Sequence, residues 1–408
     1  MLGSIYIGLS GMTAYSRGLD TISNNVANMN TPGFKVSQPR FVDLLFQNST
    51  GAVSGSGGAP SGGAGVENDA SRQSFRQGEL RDTGNPLDVA IDGEGYFVME
   101  RNGDWLFTRT GQFEIDKDGV LVERNTRAKA LVSTSSAGVT TFDLDEYRVF
   151  APKATTEVSL AGALARPVSG ATPPNGGYEL SNLTVVDAGG ARHTLKAKFV
   201  RDADDQLKWT VEVMDSDEEV VGHGEINFNP DGTPSAENEP ITVELTPENQ
   251  SAFSFVLKMG EPGTFSGVAS TGGTTTSQLS VVKQDGIQLG TLVSTSFDDR
   301  GRITLKYSNG ETLTPATMML AQFSSPDQFR SLGGGIYGVY DGQRPLIGEA
   351  QTGGRGRVIG SRLEMSNVDL TQQFSDLIII QRGFQAASQM TSVANEMLQQ
   401  LLAVGNAR

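Results

Sequence analysis

Residues able to do chemistry are few and scattered in this sequence. His193 and His223 are the only two imidazoles in 408 residues. Both lie in alternating apolar–polar stretches without a metal-ligand partner at a recognisable spacing. The run Gly333-Gly334-Gly335-Ile336-Tyr337-Gly338 spells G-x-G-x-x-G. That motif holds a pyrophosphate only after a strand and at a helix N-terminus, and the following "VYDGQRP" reads as turn and strand. The acidic runs Asp202–Asp205 and Asp215–Glu219 lack the D-x-D-x-D-G-x5-E calcium pattern and fit solvated hairpin turns. No G-x-S-x-G elbow is present, and zero cysteines exclude disulfides, thiolate metal sites and cysteine nucleophiles together. The expectation is a protein that is not an enzyme, with no catalytic, metal or cofactor-binding residues and no cofactor.

What remains chemically unusual is "SNNVANMNTPGFK", residues 23–35, with four asparagines in eight positions before a Thr-Pro-Gly turn. Asparagine is a poor interior helix residue because its amide competes for the backbone. Asn24 and Asn28 are i,i+4 neighbours and stack on one face, while Asn25 and Asn30 take others. Pro32 disfavours helix at Thr31, and Gly33 suits the positive φ of a type II turn. The cluster reads either as a plain helix C-cap or as a polar clasp, with amides that bind neighbouring backbones or asparagines of adjacent subunits. Phe34 is then the first residue able to hold the departing chain.

The elements carrying this cluster lie at the two ends. Leu2, Ile5, Leu9, Met12, Leu19 and Val26 form one 3–4 stripe, with Ser16 and Ser23 at the weak positions. Leu370, Phe374, Leu377, Ile380, Phe384, Ala387, Thr391, Ala394, Leu398 and Leu401 keep the same spacing for about thirty residues, a heptad pattern of coiled-coil type. Asn367 or Ser366 is a natural N-cap there, and Asp369 places negative charge in the first turn. The two helices are expected to pack on each other. Small residues beside the stripes (Gly3, Gly8, Gly11, Ala14, Gly18, Ala27, Gly383, Ala386, Ala387) permit close approach on further faces. Two helices with apolar faces left over need neighbours to bury them.

The middle reads as antiparallel β. In "TLKAKFVRDADDQLKWTVEVMD", Leu195, Ala197 and Phe199 share one face, and Leu207, Trp209, Val211 and Val213 one face of the return strand. "GQFEIDKDGVLVE" turns at Asp118-Gly119, and "RGRITLKYSNGETL" at Asn309-Gly310. The fold class is α+β, mostly antiparallel β domains nested between terminal helices that pair as a coiled-coil-like core. The expected layout is a helical domain of 1–35 plus 361–408, a Gly-rich linker over 36–73, and an inner β domain of 74–145 plus 284–360. An outer β domain, 146–283, is inserted in the inner one. Residues 51–65 hold seven glycines and read as flexible.

A formal charge of −15 argues against nucleic acid or an anionic membrane as partner. The longest candidate membrane stretch, the four apolar residues Leu377–Ile380, no shorter than any other apolar run, is far short of a membrane span. Arg17 is the first basic residue, so no secretory leader is read, and export by a route without a cleaved signal is expected.

Three blocks resemble the axial rod and hook proteins of the bacterial flagellum. They are "GLSGMTAYSRGLDTISNNVANMNTPGFK" (8–35), "SFRQGELRDTGNPLDVAIDGEGYFVM" (74–99) and "SNVDLTQQFSDLIIIQRGFQAASQMTSVANEMLQQLL" (366–402). An insertion of about 140 residues, with 284–323 and the stretch through Gly333–Gly338, is similar to the hook members, rod proteins with these ends being shorter. The resemblance implies a subunit that polymerises with itself into a short curved tube, helices inside and β domains outside. Such a tube, stiff in torsion and compliant in bending, joins a rotary motor to its filament. It also implies the partners: the distal rod protein, the hook cap protein, the hook–filament junction protein and the flagellar type III export apparatus. The stripe residues become the polymerisation core, and Asn24, Asn25, Asn28, Thr31, Pro32, Gly33 and Phe34 the family turn. A distal rod protein with an enlarged insertion is the alternative within this class; a secreted β-rich enzyme or adhesin is the alternative outside it.

Overall fold

The computed structural model describes residues 2–44, 65–134, 138–166, 177–247, 251–272, 276–323, 325, 329–340 and 345–405. The fold is mostly antiparallel β with one helix at each end, α1 (Leu2–Ala27) and α2 (Leu370–Gly405), and the two helices pack together. Residues separate into two compact units, 1–145 with 295–304 and 314–408, and 146–294 with 305–313.

In the first unit both helices, the strands that follow or precede them, and a β body share one fold. Helix α1 stops where its last turn tightens: the Met29 amide bonds back to Val26 O at 3.3 Å, and Asn28 Nδ2 donates to Asn24 O at 2.9 Å. Pro32, with no N–H to offer, and Gly33 at φ +71° then reverse the chain. Inside the span expected as a linker, Ser37–Asp43 and Val66–Gln73 pair as an antiparallel ribbon. Apart from Gly65, the glycine-rich stretch 51–65 lies outside the described residues.

The β body holds the strand Val89–Asp92, buried from Val89 to Ile91 and paired with Arg357–Gly360, beside Leu80–Asp82 paired with Arg362–Glu364. The C-terminal chain therefore returns through the same body before entering α2. Around the hairpin Tyr96–Arg101/Asp104–Thr108, the Tyr96 ring stands 5.4 Å from Phe323, 5.7 Å from Tyr337 and 6.3 Å from Phe75, all edge-on. Each such ring contributes about 1.5–3 kcal/mol by burial, with edge-to-face geometry adding to it. Burial raises both phenols above their ordinary value, Tyr337 to about 12, so both stay neutral.

In the second unit the strand order along the main sheet is Tyr178–Val186, Arg192–Arg201, Lys208–Met214, Val220–Asn227, Ile241–Leu245, Phe253–Lys258, Glu157–Arg166, Val268–Gly272. Gln278–Gln284 adds to Glu157–Arg166, which also makes the two parallel pairings of an otherwise antiparallel sheet. The hairpin face read from sequence is core: Leu195, Ala197, Phe199, Trp209, Val211 and Val213 are all buried, Phe199 lying opposite Val211. Leu207 packs against that core half-buried. Tyr178 Oη bridges to Leu279, accepting from its amide at 3.0 Å and donating to its carbonyl at 3.2 Å.

Candidate assembly interface

The helices run antiparallel and meet through absent side chains. Gly8 lies against Thr391 and Ala387, Gly11 against Ala387 and Gly18 against Ile380. A Cβ at Gly18 would stand 3.0 Å from Ile380 Cδ1, and one at Gly383 would stand 2.6 Å from the Tyr15 ring. The buried line on α1 is therefore Gly8, Gly11, Ala14, Gly18, Ile22 and Asn25, at 3–4 spacing. The larger apolar stripe read from sequence is rotated away from it. Leu9 is 53% exposed, and Ile5, Met12, Leu19 and Val26 are half-buried. Packing follows the small residues because glycines let two backbones approach, whereas hydropathy weights only large side chains.

On α2 the inward line is Leu370, Gln373, Leu377, Ile380, Gly383, Ala387, Thr391, Ala394 and Leu398. Four of the expected core residues, Leu370, Leu377, Ile380 and Leu398, lie on it, with Ile380 and Ala394 buried. Phe374 (54% exposed) and Phe384 (37%) stand off it. The side chains of Leu2 and Leu401 lie outside the described residues. A second stripe, Ile379, Met390, Val393 and Met397, faces away at heptad spacing, and with Phe374, Ile378, Tyr6, Ile7 and Leu9 leaves the pair apolar on its outside. Its signal in the sequence is a second, interleaved 3–4 pattern.

The asparagine cluster is split between two tasks. Asn28 closes the helix locally, donating also to Asn24 Oδ1 at 3.0 Å and accepting from Thr31 Oγ1 at 3.1 Å. Asn25 is fully buried: its Nδ2 donates to Ser37 O at 2.7 Å and Gln373 Oε1 at 2.8 Å, and its Oδ1 accepts the Ser37 amide at 3.0 Å. One amide thus joins α1, the ribbon and α2. The Gly33 turn packs on Thr110, whose hydroxyl donates to Pro32 O at 3.4 Å. Phe34 is half-buried.

Below the turn sits a site that motif reading passed over, although Lys35 closes the quoted motif. Lys35 Nζ donates to Glu364 Oε1 at 2.6 Å and Arg76 O at 2.9 Å. Arg109 Nη1 lies 3.3 Å from Glu364 Oε2, Gly78 N–H donates to Oε1 at 2.8 Å, and Gly33 N–H to the Glu364 carbonyl at 2.8 Å. All three charged groups are buried. Desolvation, helped by the Arg109 charge, pushes the Lys35 ammonium below its ordinary value, and Glu364 works against that. Asn367 belongs to this region and not to the helix cap: it accepts from Val36 N–H and donates to Ser74 and Arg76 carbonyls, each at 2.8 Å. The cap of α2 is Asp369, whose Oδ1 takes the Thr371 amide at 2.8 Å and the Gln372 amide at 3.3 Å. Only a residue directly before the helix reaches those free amides.

The scattered chemistry of the sequence stays scattered. Gly333–Gly335, all at positive φ, turn a hairpin between Phe329–Gly333 and Ile336–Val339. Asp202 and Asp215 accept amides of their own turns. His193 pairs with Asp187 at 2.8 Å, and His223 is exposed on a strand. Among the described residues no group of three His, Asp or Glu side chains could hold a metal, and no helix is long and apolar enough to cross a membrane.

Three family models match in order along the chain. "Flagella basal body rod protein" covers residues 5–35, "Flagellar hook protein FlgE/F/G D1 domain" 90–141, and "Flagellar basal body rod FlgEFG protein C-terminal" 360–404. The chain is 29% identical to the flagellar hook protein FlgE of Treponema pallidum over 99% of this chain and 100% of that one. It is 28% identical to FlgE of Escherichia coli, covering 97% and 98%. The crystal structure of Helicobacter pylori flagellar hook protein FlgE2 is similar over 70% of this chain and 100% of its own, with TM-score 0.48 and 12% identity. The three models fall on the helical pair, the turn and the body that holds it, and the relatives match end to end, so the chain is similar throughout its length to flagellar rod and hook proteins.

Proposed function

We propose that this chain is the structural subunit that polymerises with itself into the flagellar hook, the curved tube that carries torque from motor to filament. The observation that carries the reading is the unsatisfied outside of the helical pair. α1 and α2 use their glycine and alanine faces on each other, and leave Leu9, Phe374, Ile378, Ile379, Met390 and Val393 in water. Exposed apolar surface of this extent marks an interaction site. End-to-end similarity to hook proteins, middle included, favours this reading over a rod protein, which would share the ends alone.

In this proposal the polymerisation core comprises the stripes of both helices, and the turn from Asn24 to Phe34 fixes how the helices leave it. The distal rod, hook cap and hook–filament junction proteins meet the same helical ends. The type III apparatus exports the chain. The family's role is structural, and the side chains described here are arranged for packing. Removing residues 366–408 tests the reading by sedimentation and electron microscopy. A soluble β body that stays monomeric is expected, and tubes formed by the truncated chain would refute it.

A further inference from the structure

We propose that Glu364 is a latch: its carboxylate compensates two cations buried by the N-terminal part of the chain, so that closing the turn after α1 and seating the segment that leads into α2 are one event.

The three charges come from three places. Lys35 follows the Gly33 turn, Arg109 directly follows the strand Asp104–Thr108, and Glu364 ends the strand Arg362–Glu364, six residues before α2 begins. Lys35 and Glu364 are 329 positions apart in sequence and 2.6 Å apart in space. With Glu364 in place the site carries two positive charges and one negative; without it, two like charges share a buried pocket. Burying such a pair uncompensated is strongly unfavourable. The remaining neighbours cannot substitute for the carboxylate. Arg109 Nη2 reaches Gly93 O at 2.8 Å, Nη1 is 3.5 Å from Ile91 O, and among the described residues Lys35 has only Arg76 O besides. The Tyr96 ring lies 5.3 Å from the guanidinium, and its phenol stays neutral.

The latch is pinned on both sides. The Gly33 amide is held by the Glu364 carbonyl, and the Val36 amide by Asn367. Gly78 accommodates the same segment, since a Cβ there would overlap the Met365 carbonyl. Residues 33–36 and 74–78 thus form a socket whose electrostatics are complete only when 364–367 enter it. Three residues further on, α2 begins, tied to α1 by the Asn25–Gln373 bond. The inference concerns the single chain and holds whether or not it polymerises.

The test is hydrogen exchange of the full chain, read by mass spectrometry, for Glu364→Gln and for the double variant Lys35→Met/Glu364→Gln. The single variant leaves two buried cations; the double returns the site to the native net charge without any ion pair. In Glu364→Gln, exchange is expected to rise by about tenfold or more together over residues 33–36 and 370–380, the hairpin 96–108 remaining protected. The double variant is expected to recover most of that protection. Loosening of one segment without the other would overturn the coupling. A double variant as loose as the single would assign Glu364 a packing role and overturn the latch. If the single variant does not fold, the double decides: a folded, protected double supports the latch, and an unfolded one sinks it.

Discussion

Asn25 concentrates three hydrogen bonds in a buried amide, and its loss strands the Ser37 amide and the Gln373 side chain at once. Asn25→Leu is expected to destabilise the helical pair by about 1–3 kcal/mol for each group left unsatisfied. Thermal unfolding followed by circular dichroism measures this, with Asn24→Ala, on the exposed side of α1, as the mild control. Half of this was legible in the sequence. The i,i+4 relation of Asn24 and Asn28 and the positive φ at Gly33 follow from local rules, and both are present. The partners of Asn25 and Lys35 were not legible, because Gln373 and Glu364 come from the far end of the chain and no local pattern links them.

Among the elements, the prediction concerns which face of α2 does what. Ile379→Asp and Val393→Asp lie on the outward stripe, so each is expected to leave the monomer's helix content and melting unchanged while abolishing polymerisation. An unpaired charge buried between subunits costs several kcal/mol. Leu377→Asp strikes the inward line instead and is expected to loosen α2 in the monomer as well, as limited proteolysis would register. Tubes formed by Ile379→Asp would show that the outward stripe stays in solvent. The strands were legible where large apolar residues alternate, as from Leu195 to Val213, and so were two of the turns, at Asp118-Gly119 and Asn309-Gly310. The contact face of α1 escaped because Gly8, Gly11 and Gly18 carry no hydropathy for a stripe to register.

For the molecule as a whole, acid is expected to act on the second unit through Asp285. Burial opposes its charge, but it is overridden by the Thr156 hydroxyl and amide, the Glu157 amide and Lys153, which hold the carboxyl well below the ordinary range near 4. A carboxyl depressed in the folded state contributes its full stabilisation above the unfolded value and loses it as pH falls towards the folded one. Melting of the native chain is therefore expected to drop on acidification from about pH 4, and Asp285→Asn to be less stable at neutral pH with a flatter acid limb. Equal acid limbs for the two chains would refute this assignment. The close approach at Gly8, Gly18 and Gly383 sets a dimension at the same scale. Where two helices touch through missing side chains, their spacing has no soft layer to absorb error, and one methyl changes it. Gly3, with nothing within 4 Å of its Cβ position, has no such say. The helical pair is a gauge whose thickness is written in hydrogen atoms, at those few positions.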